Sequence, residues 1–214
     1  MSGGQHMTAL ADEVINPKEL QTNLRVLALL DIILCDEEWL RYYTYEPAWA
    51  EGVSLAKVDD GSGNHMYVIF APEGTIIKGF DHESELSPHA QEEYGVWPGM
   101  YDGMPAELMQ HLQDDALEPE EVTFCYWRLV EAANWSAGPV IVPEGIDSGA
   151  SWLLSMMYDT PEAYVDWAND YYELELEAEG VRDVFEGQVI TAELITRLNP
   201  ERDQEEALAE LAAL

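Results

Sequence analysis

Residues 53–80 have the sequence VSLAKVDDGSGNHMYVIFAPEGTIIKGF, in which three apolar runs are separated by two polar joints. The runs cover residues 53–58, 65–71 and 75–80. The first joint (DDGSGN, residues 59–64) and the second (APEG, residues 71–74) contain the Gly, Pro and Asx residues that tight turns require. The stretch therefore predicts three strands of an antiparallel β-meander.

Two further strands are predicted on either side of the meander. Residues 122–130 (VTFCYWRLV) place Thr123, Cys125 and Trp127 on one face and the residues between them on the other. We expect this segment to join the same sheet. Residues 40–45 are rich in aromatic side chains and predict a short strand before the meander.

An N-terminal helix is predicted from its start signals. Asn16 can act as the N-cap, Pro17 takes the first helical position, and Glu19 follows at the spacing of a capping box. Residues 24–34 are apolar on nearly all sides of the helical axis, with Asp31 as one interruption. A helix that is apolar all round is buried, so we expect it at the centre of the core.

The C-terminal third is predicted to be helical. Thr160 and Pro161 can begin a helix, and residues 191–198 predict another, while a shorter one is expected near residues 105–112. Residues 201–214 predict a thin amphipathic helix. Three outcomes stay open for it: docking on the body, fraying, or pairing with another copy of the chain in a homodimer.

Together these patterns predict an α+β fold with an antiparallel β-meander packed against a buried N-terminal helix and C-terminal helices. Residues 8–200 are expected to form a single domain, followed by the helix of residues 201–214. Residues 1–7 (MSGGQHM) resemble a tag remnant or a disordered terminus and are left out of the fold prediction.

The charge of the chain restricts its partners. Nine Lys and Arg residues stand against 43 Asp and Glu residues among 214, a formal net charge of −34. Such a field repels nucleic-acid phosphates and anionic membranes, and it attracts a basic protein partner. General solubility or adaptation to high salt explains the same acidity, so the composition alone leaves both explanations open.

The sequence contains no cofactor signature and no membrane signal. Glycine-rich phosphate loops and Cys-x-x-Cys pairs are missing, so no cofactor is expected. No apolar run reaches the ~20 residues that cross a bilayer, and no basic segment precedes an apolar one. Cys35 and Cys125 are expected to be buried reduced thiols of a cytoplasmic protein, although the sequence leaves a disulfide between them open.

Asp81, His82 and Glu83 form the densest group of metal-ligand side chains, and we expect strand pairing to bring His65 near the end of the neighbouring strand, close to them. Imidazole and carboxylate groups bind divalent metals and transfer protons near pH 7. A metal-dependent hydrolase is therefore an alternative function. The structural explanation is that Asp and Ser at a strand end form turns and helix caps.

Trp97 and Tyr101 lie in a loop-rich segment and are the aromatic pair that we expect to be exposed. Rigid aromatic side chains are good anchors at protein interfaces. Glu92, Glu93 and Asp102 surround them in the sequence and favour a basic protein partner. No catalytic residue is assigned on this interpretation.

Two family resemblances are carried by segments of this sequence, one over most of the chain and one over residues 58–83. Residues 63–83, the stretch Pro98 to Pro105 and the strand TFCYWR (residues 123–128) resemble an uncharacterised family of acidic bacterial proteins, which implies no activity. Residues 58–83 also resemble the hairpin of the SUKH superfamily of bacterial immunity proteins, which bind and neutralise toxins. That resemblance implies a non-enzymatic, toxin-neutralising protein.

Overall fold

The computed structural model describes residues 5–7, 11 and 14–214. In chain order, the strands are β1 (Gln5–His6), β2 (Tyr43–Ala50), β3 (Val53–Asp59), β4 (His65–Ala71), β5 (Gly74–Phe80), β6 (Phe124–Leu129), β7 (Ser136–Ala137) and β8 (Ile141–Val142). The α-helices are α1 (Pro17–Leu34), α2 (Ala106–Met109), α3 (Ala150–Ser155), α4 (Pro161–Tyr172), α5 (Ala178–Phe185), α6 (Ala192–Leu198) and α7 (Gln204–Leu211).

Strands β2 to β7 form one antiparallel sheet in sequential order, six-stranded over the described residues. The predicted meander is confirmed as β3, β4 and β5, and the predicted fourth strand is confirmed as β6. The α+β class is likewise confirmed, since the sheet packs with the N-terminal helix and with C-terminal helices. None of the helices in the described ranges is both long and apolar enough to span a membrane.

The joint between β3 and β4 is held by its own aspartates, as its composition predicts. Asp59 accepts a hydrogen bond from the backbone N–H of Gly61, and Asp60 accepts bonds from Ser62 and Asn64. These Asx turns fix a loop in which Gly61 has a positive φ of 69°, a conformation that suits glycine. The register then pairs Asp59 with His65.

The predicted strand at residues 40–45 is wrong in its bounds. Residues Glu38–Leu40 form a 3₁₀ turn, and β2 begins at Tyr43 and continues to Ala50 through Pro47. Proline is tolerated in β2 because this strand lies at the edge of the sheet, where an N–H need not bond a neighbour. The pairing with β3 is irregular between Glu46 and Ala50, next to the proline.

Helix α1 is capped and buried as predicted. Asn16 Oδ1 accepts a hydrogen bond from the backbone N–H of Glu19 at 3.1 Å, and Pro17 opens the helix. Leu20, Leu24 and Leu27 are buried in the core together with the inner faces of the strands. The apolar surface that α1 removes from water makes it a main source of stability for the fold.

The C-terminal helices begin where the sequence predicts. Thr160 caps α4 and Thr191 caps α6 through their hydroxyl groups. Helix α7 docks on the body: Ala207 is buried, and Arg202 Nε donates to the backbone oxygen of Ile32 in α1. Pairing of two copies through this helix stays a prediction, as does the division of the chain at residue 200.

Residues 5–7 were expected in a tag remnant or disordered terminus, but they belong to the fold. Strand β1 pairs antiparallel with β8, and Met7 is buried with its backbone oxygen accepting a bond from the Tyr126 hydroxyl. The reason is an apolar contact that composition does not reveal. Residues 1–4 lie outside the described residues.

Candidate functional site

The segment Asp81 to Glu83, predicted as a metal-ligand group, forms a structural corner after β5. Asp81 Oδ1 accepts a bond from the backbone N–H of Glu83, and its Oδ2 accepts one from Trp152 Nε1 at 2.9 Å. The ring of His82 lies 2.8 Å from Asn64 Oδ1, so it joins the β3–β4 turn. These bonds match the structural explanation, in which the side chains hold turns together.

Strand pairing places His65 opposite Phe80, at the end of β5 and next to Asp81 in the chain, as expected. Its ring packs against Tyr67 and Phe80, and its Nε2 lies 3.4 Å from Glu118 Oε2 without a hydrogen bond to any described residue. Burial lowers the pKa of His65 to about 4, aided by the positive charge of Lys78. The imidazole is therefore neutral at pH 7 and forms no ion pair there.

No set of three or more His, Cys, Asp or Glu side chains is arranged to hold a metal ion within residues 14–214 or the short described stretches before them. The alternative function, a metal-dependent hydrolase, therefore has no assembled set of metal ligands among the described residues. Cys35 and Cys125 are both buried and free, so they do not form a disulfide.

The loop pair Trp97 and Tyr101 is not exposed as expected. Both side chains are half-buried against the core, and the Tyr101 hydroxyl donates to the backbone oxygen of Pro119 at 2.6 Å. Burial raises the pKa of Tyr101 well above its ordinary value. The acidic residues predicted around them are exposed, namely Glu92, Glu93 and Asp102.

The most exposed aromatic ring in the described residues is that of Trp39, 77% exposed, in the 3₁₀ turn before β2. It borders a cavity of about 590 Å³ whose other walls include Leu40, Tyr42 and Tyr171. Leu40 is 41% exposed and Tyr171 is also partly open to solvent. We call these four residues, with Glu38 and Asp59 of the same cavity, the Trp39 surface.

Aromatic packing holds the base of the Trp39 surface rigid. Tyr171 stacks on Trp167 with ring centroids 5.1 Å apart, and both rings contact Tyr42 edge-on. The Tyr171 hydroxyl donates to the backbone oxygen of Leu40, which ties α4 to the 3₁₀ turn. Because the rings are packed before any ligand arrives, binding would order few side chains.

Acidic side chains surround the Trp39 surface. Asp36, Glu37 and Glu38 are exposed in the same turn, and Glu37 Oε2 accepts a bond from Trp39 Nε1 at 2.9 Å. Arg41 and Lys57, which line the cavity, are already engaged: Arg41 with Glu210 at 2.7 Å, and Lys57 with Asp59 at 2.7 Å. Aromatic faces next to carboxylates suit a cationic side chain.

Beneath this surface lies Asp31, which is fully buried in α1. Its Oδ2 accepts a bond from the backbone N–H of Tyr43 at 2.7 Å, and its Oδ1 accepts one from the Tyr164 hydroxyl at 2.9 Å. Burial raises the pKa of Asp31 to about 7, although these hydrogen bonds oppose the rise. Asp31 thus connects α1, β2 and α4 under the Trp39 surface.

A second buried charge lies under the 84–121 segment. Lys78 of β5 is fully buried, and its Nζ donates to the backbone oxygens of Glu118 at 2.8 Å and Glu121 at 2.5 Å. Burial lowers the pKa of Lys78 to about 8. Because the ammonium group bonds two backbone oxygens of this loop, it fastens the loop to the sheet.

Sequence reasoning missed Trp39 as the exposed aromatic ring, and it missed Asp31 and Lys78 as buried charges. The burial of Asp31 had a signal in the sequence, because this residue interrupts a helix that is otherwise apolar. No comparable signal distinguishes Trp39 from the buried aromatic residues around it, since exposure depends on how the 3₁₀ turn packs.

Comparison of the chain with protein-family models, curated proteins and solved structures finds no match in any of the three. The two family resemblances therefore stay predictions.

Proposed function

We propose that this protein acts without catalysis by binding a basic protein partner through the Trp39 surface. The observation that carries the proposal is the 77% exposure of the Trp39 side chain beside an aromatic cavity. A toxin of an immunity-type pair is the class of partner to examine first, because of the hairpin resemblance at residues 58–83.

The composition of the Trp39 surface supports protein binding. Trp and Tyr are enriched among the residues that contribute most to interface affinity, because they bury a large area at little cost in side-chain entropy. An exposed tryptophan is otherwise unfavourable in water. Trp39 would remove its ring from water against a partner, while Tyr42 and Tyr171 provide a rigid base.

The charge supports a basic partner. Asp36, Glu37 and Glu38 add local negative charge to a chain with a net charge of −34. Complementary charge raises the rate of association, and salt weakens the effect over a Debye length of about 10 Å at 0.1 M. Two acidic copies of this chain repel each other, which disfavours a second copy as the partner.

A cytoplasmic location is part of the same proposal. Cys35 and Cys125 are buried free thiols. Unpaired thiols are the usual state in a reducing compartment.

Affinity capture with matched variants tests the proposal. The native chain, Trp39→Ala and Tyr94→Ala would each be immobilised on a resin. Each resin would then be incubated with native lysate at about 0.05 M and about 0.5 M NaCl. Tyr94 is the matched control because it is an exposed aromatic residue, 53% exposed, that does not line the cavity.

We expect the native chain and Tyr94→Ala to retain the same basic protein at low salt and Trp39→Ala to lose it. The recovered protein would be identified by mass spectrometry, purified and recombined with each variant. Equal retention by all three chains, or recovery of acidic proteins only, would refute the proposal.

A further inference from the structure

A groove of about 540 Å³ is lined by residues 43–48, the first six residues of β2. Successive side chains of a strand point to opposite faces, so a cavity over one face would touch only every second residue. The groove therefore runs along the edge of β2. The opposite wall includes Ile32 of α1, together with Ala213 and Leu214, which follow α7.

The edge of β2 that faces the groove has no strand beside it in the described part of the chain. Among the described residues, β3 is the only strand paired with β2. The backbone N–H of Asp59 donates to Tyr42 O, and the register continues as Tyr43 with Val58 and Thr44 with Lys57.

Antiparallel strands alternate between residues that bond the neighbour and residues that face away. Tyr42 bonds β3, so Tyr43 and Tyr45 face away. The bond from the Tyr43 N–H to Asp31 agrees with this alternation. The backbone groups of Tyr45 and the carbonyl of Tyr43 are thereby directed into the groove.

The length of the open edge limits what can bind there. Asp31 occupies the N–H of Tyr43, and Pro47 has no N–H to offer. Natural sheet edges are often protected in these ways against aggregation. What remains is a short stretch around Tyr45, which suits a short extended segment rather than a long strand.

The charge of the groove selects the occupant. Glu38 and Glu46 line it with exposed side chains, whereas Arg41 is buried and paired with Glu210. The groove also shares Glu38, Arg41 and Thr44 with the Trp39 cavity, so the two sites are continuous. An added strand would direct alternate side chains towards the Trp39 surface.

We propose that the edge of β2 binds a short, extended, basic segment of the protein partner as an added strand. Backbone hydrogen bonds to Tyr45 give the segment its alignment, and its Lys or Arg side chains meet Glu38 and Glu46. This inference rests on the proposed function and specifies how the same partner is held.

A defined peptide provides the probe. The peptide is an acetylated, amidated octamer of alternating Lys and Val, and its control is the same sequence with every backbone amide N-methylated. Both carry the same charge, but the methylated peptide cannot donate backbone hydrogen bonds. Binding would be measured by titration calorimetry, and exchange of the Tyr45 amide hydrogen by NMR.

Two protein variants make the location of binding testable. Ala213→Trp fills the groove, because Ala213 is exposed and lines it, whereas Ala212→Trp is the matched control at an exposed neighbour outside it. Both variants carry the same substitution just after α7. Any general effect on folding would therefore appear in both.

We expect the unmodified peptide to bind at least about tenfold more tightly than the methylated one, and exchange of the Tyr45 amide to slow on binding. Ala213→Trp should weaken binding about tenfold, and Ala212→Trp should leave it unchanged. Equal affinity of the two peptides, absence of binding, or protection of Tyr45 by a second copy of the chain would overturn the inference.

Failure here and failure of the proposed function are distinguishable. If Trp39→Ala abolishes capture of the partner while the Tyr45 amide is unaffected by the peptide, only the added strand is refuted. If the Tyr45 amide is protected while Trp39→Ala captures the partner normally, the Trp39 surface is refuted as the docking site.

Discussion

At the scale of single residues, Asp31 and Lys78 show how this chain uses buried charge. Each is completely buried, and each contacts backbone groups of another element: Tyr43 for the carboxylate, Glu118 and Glu121 for the ammonium. A buried polar group costs free energy unless it is hydrogen-bonded. Both groups therefore specify which elements meet.

Asp31 makes the stability of the fold depend on pH. Its pKa is about 7 in the native chain, against an ordinary value of 3.8. Between these values the native state holds a proton that the unfolded state has released, so the contribution of Asp31 to stability is greatest below pH 3.8 and falls as pH rises to about 7. The shift corresponds to a change on the order of 4 kcal/mol.

Unfolding by urea from pH 4 to pH 8 checks this expectation. The free energy of unfolding of the native chain should fall relative to that of Asp31→Asn, which has no carboxyl group to titrate there. Asp36→Asn changes an exposed carboxyl group nearby in the chain, and its free energy of unfolding should vary with pH as that of the native chain does. Parallel profiles for the native chain and Asp31→Asn would show that Asp31 does not titrate in this range.

Lys78 should be far more important for stability than Lys57, although both ammonium groups lie against the Tyr67 ring. Lys78→Met removes the donor of Glu121 O, while Glu118 O keeps its bond from the Glu121 N–H; the unpaired buried oxygen costs about 1–3 kcal/mol. Lys57→Met removes a partly exposed ion pair and should cost less than about 1 kcal/mol. Urea denaturation of both variants, with hydrogen exchange of residues 118–121, provides the comparison. Equal losses in the free energy of unfolding would contradict the role of Lys78 in fastening this loop to the sheet.

At the scale of elements, the close approach of β5 and β6 depends on a glycine. A Cβ atom at Gly79 would lie 2.0 Å from the ring of Phe124, which is fully buried. The register places these two residues directly opposite each other. The aromatic ring thus occupies the space above the glycine, and the sheet packs without a gap there.

Gly79→Ala should therefore destabilise the fold by about 1–3 kcal/mol through overpacking. Gly95→Ala is the matched control, because a Cβ atom there has nothing within 4 Å. Thermal unfolding of both variants measures the difference. Equal transition temperatures would mean that Phe124 moves aside without cost.

The elements also show what a sequence can predict and what it cannot. The Asn16 cap and the DDGSGN turn were predictable because each depends on bonds within a few residues. Strand β2 was misplaced because Pro47 is acceptable only at a sheet edge, and edge position depends on the whole topology. The exposure of Trp39 and the burial of Lys78 likewise depend on contacts between distant segments.

At the scale of the whole molecule, the net charge of −34 opposes compaction, since 43 acidic residues face nine basic ones. Salt screens this repulsion. We expect the melting temperature to rise by about 5 °C or more between about 0.05 M and about 0.5 M NaCl. A melting temperature that falls with salt would contradict this expectation.

The same series of salt concentrations tests whether the acidity reflects adaptation to high salt. A chain that binds a basic partner in ordinary cytoplasm has to be folded at about 0.15 M salt. Circular dichroism that shows an unfolded chain below about 1 M NaCl would favour adaptation to high salt instead. A native spectrum at low salt agrees with the proposed function.

Measured affinities for the purified basic partner test the role of the Trp39 surface most directly. Dissociation constants would be determined by calorimetry for the native chain, Trp39→Ala and Tyr94→Ala. We predict that Trp39→Ala weakens binding at least about tenfold and that Tyr94→Ala changes it less than about twofold. If the three chains bind alike, the exposed tryptophan is not the anchor and the account is wrong.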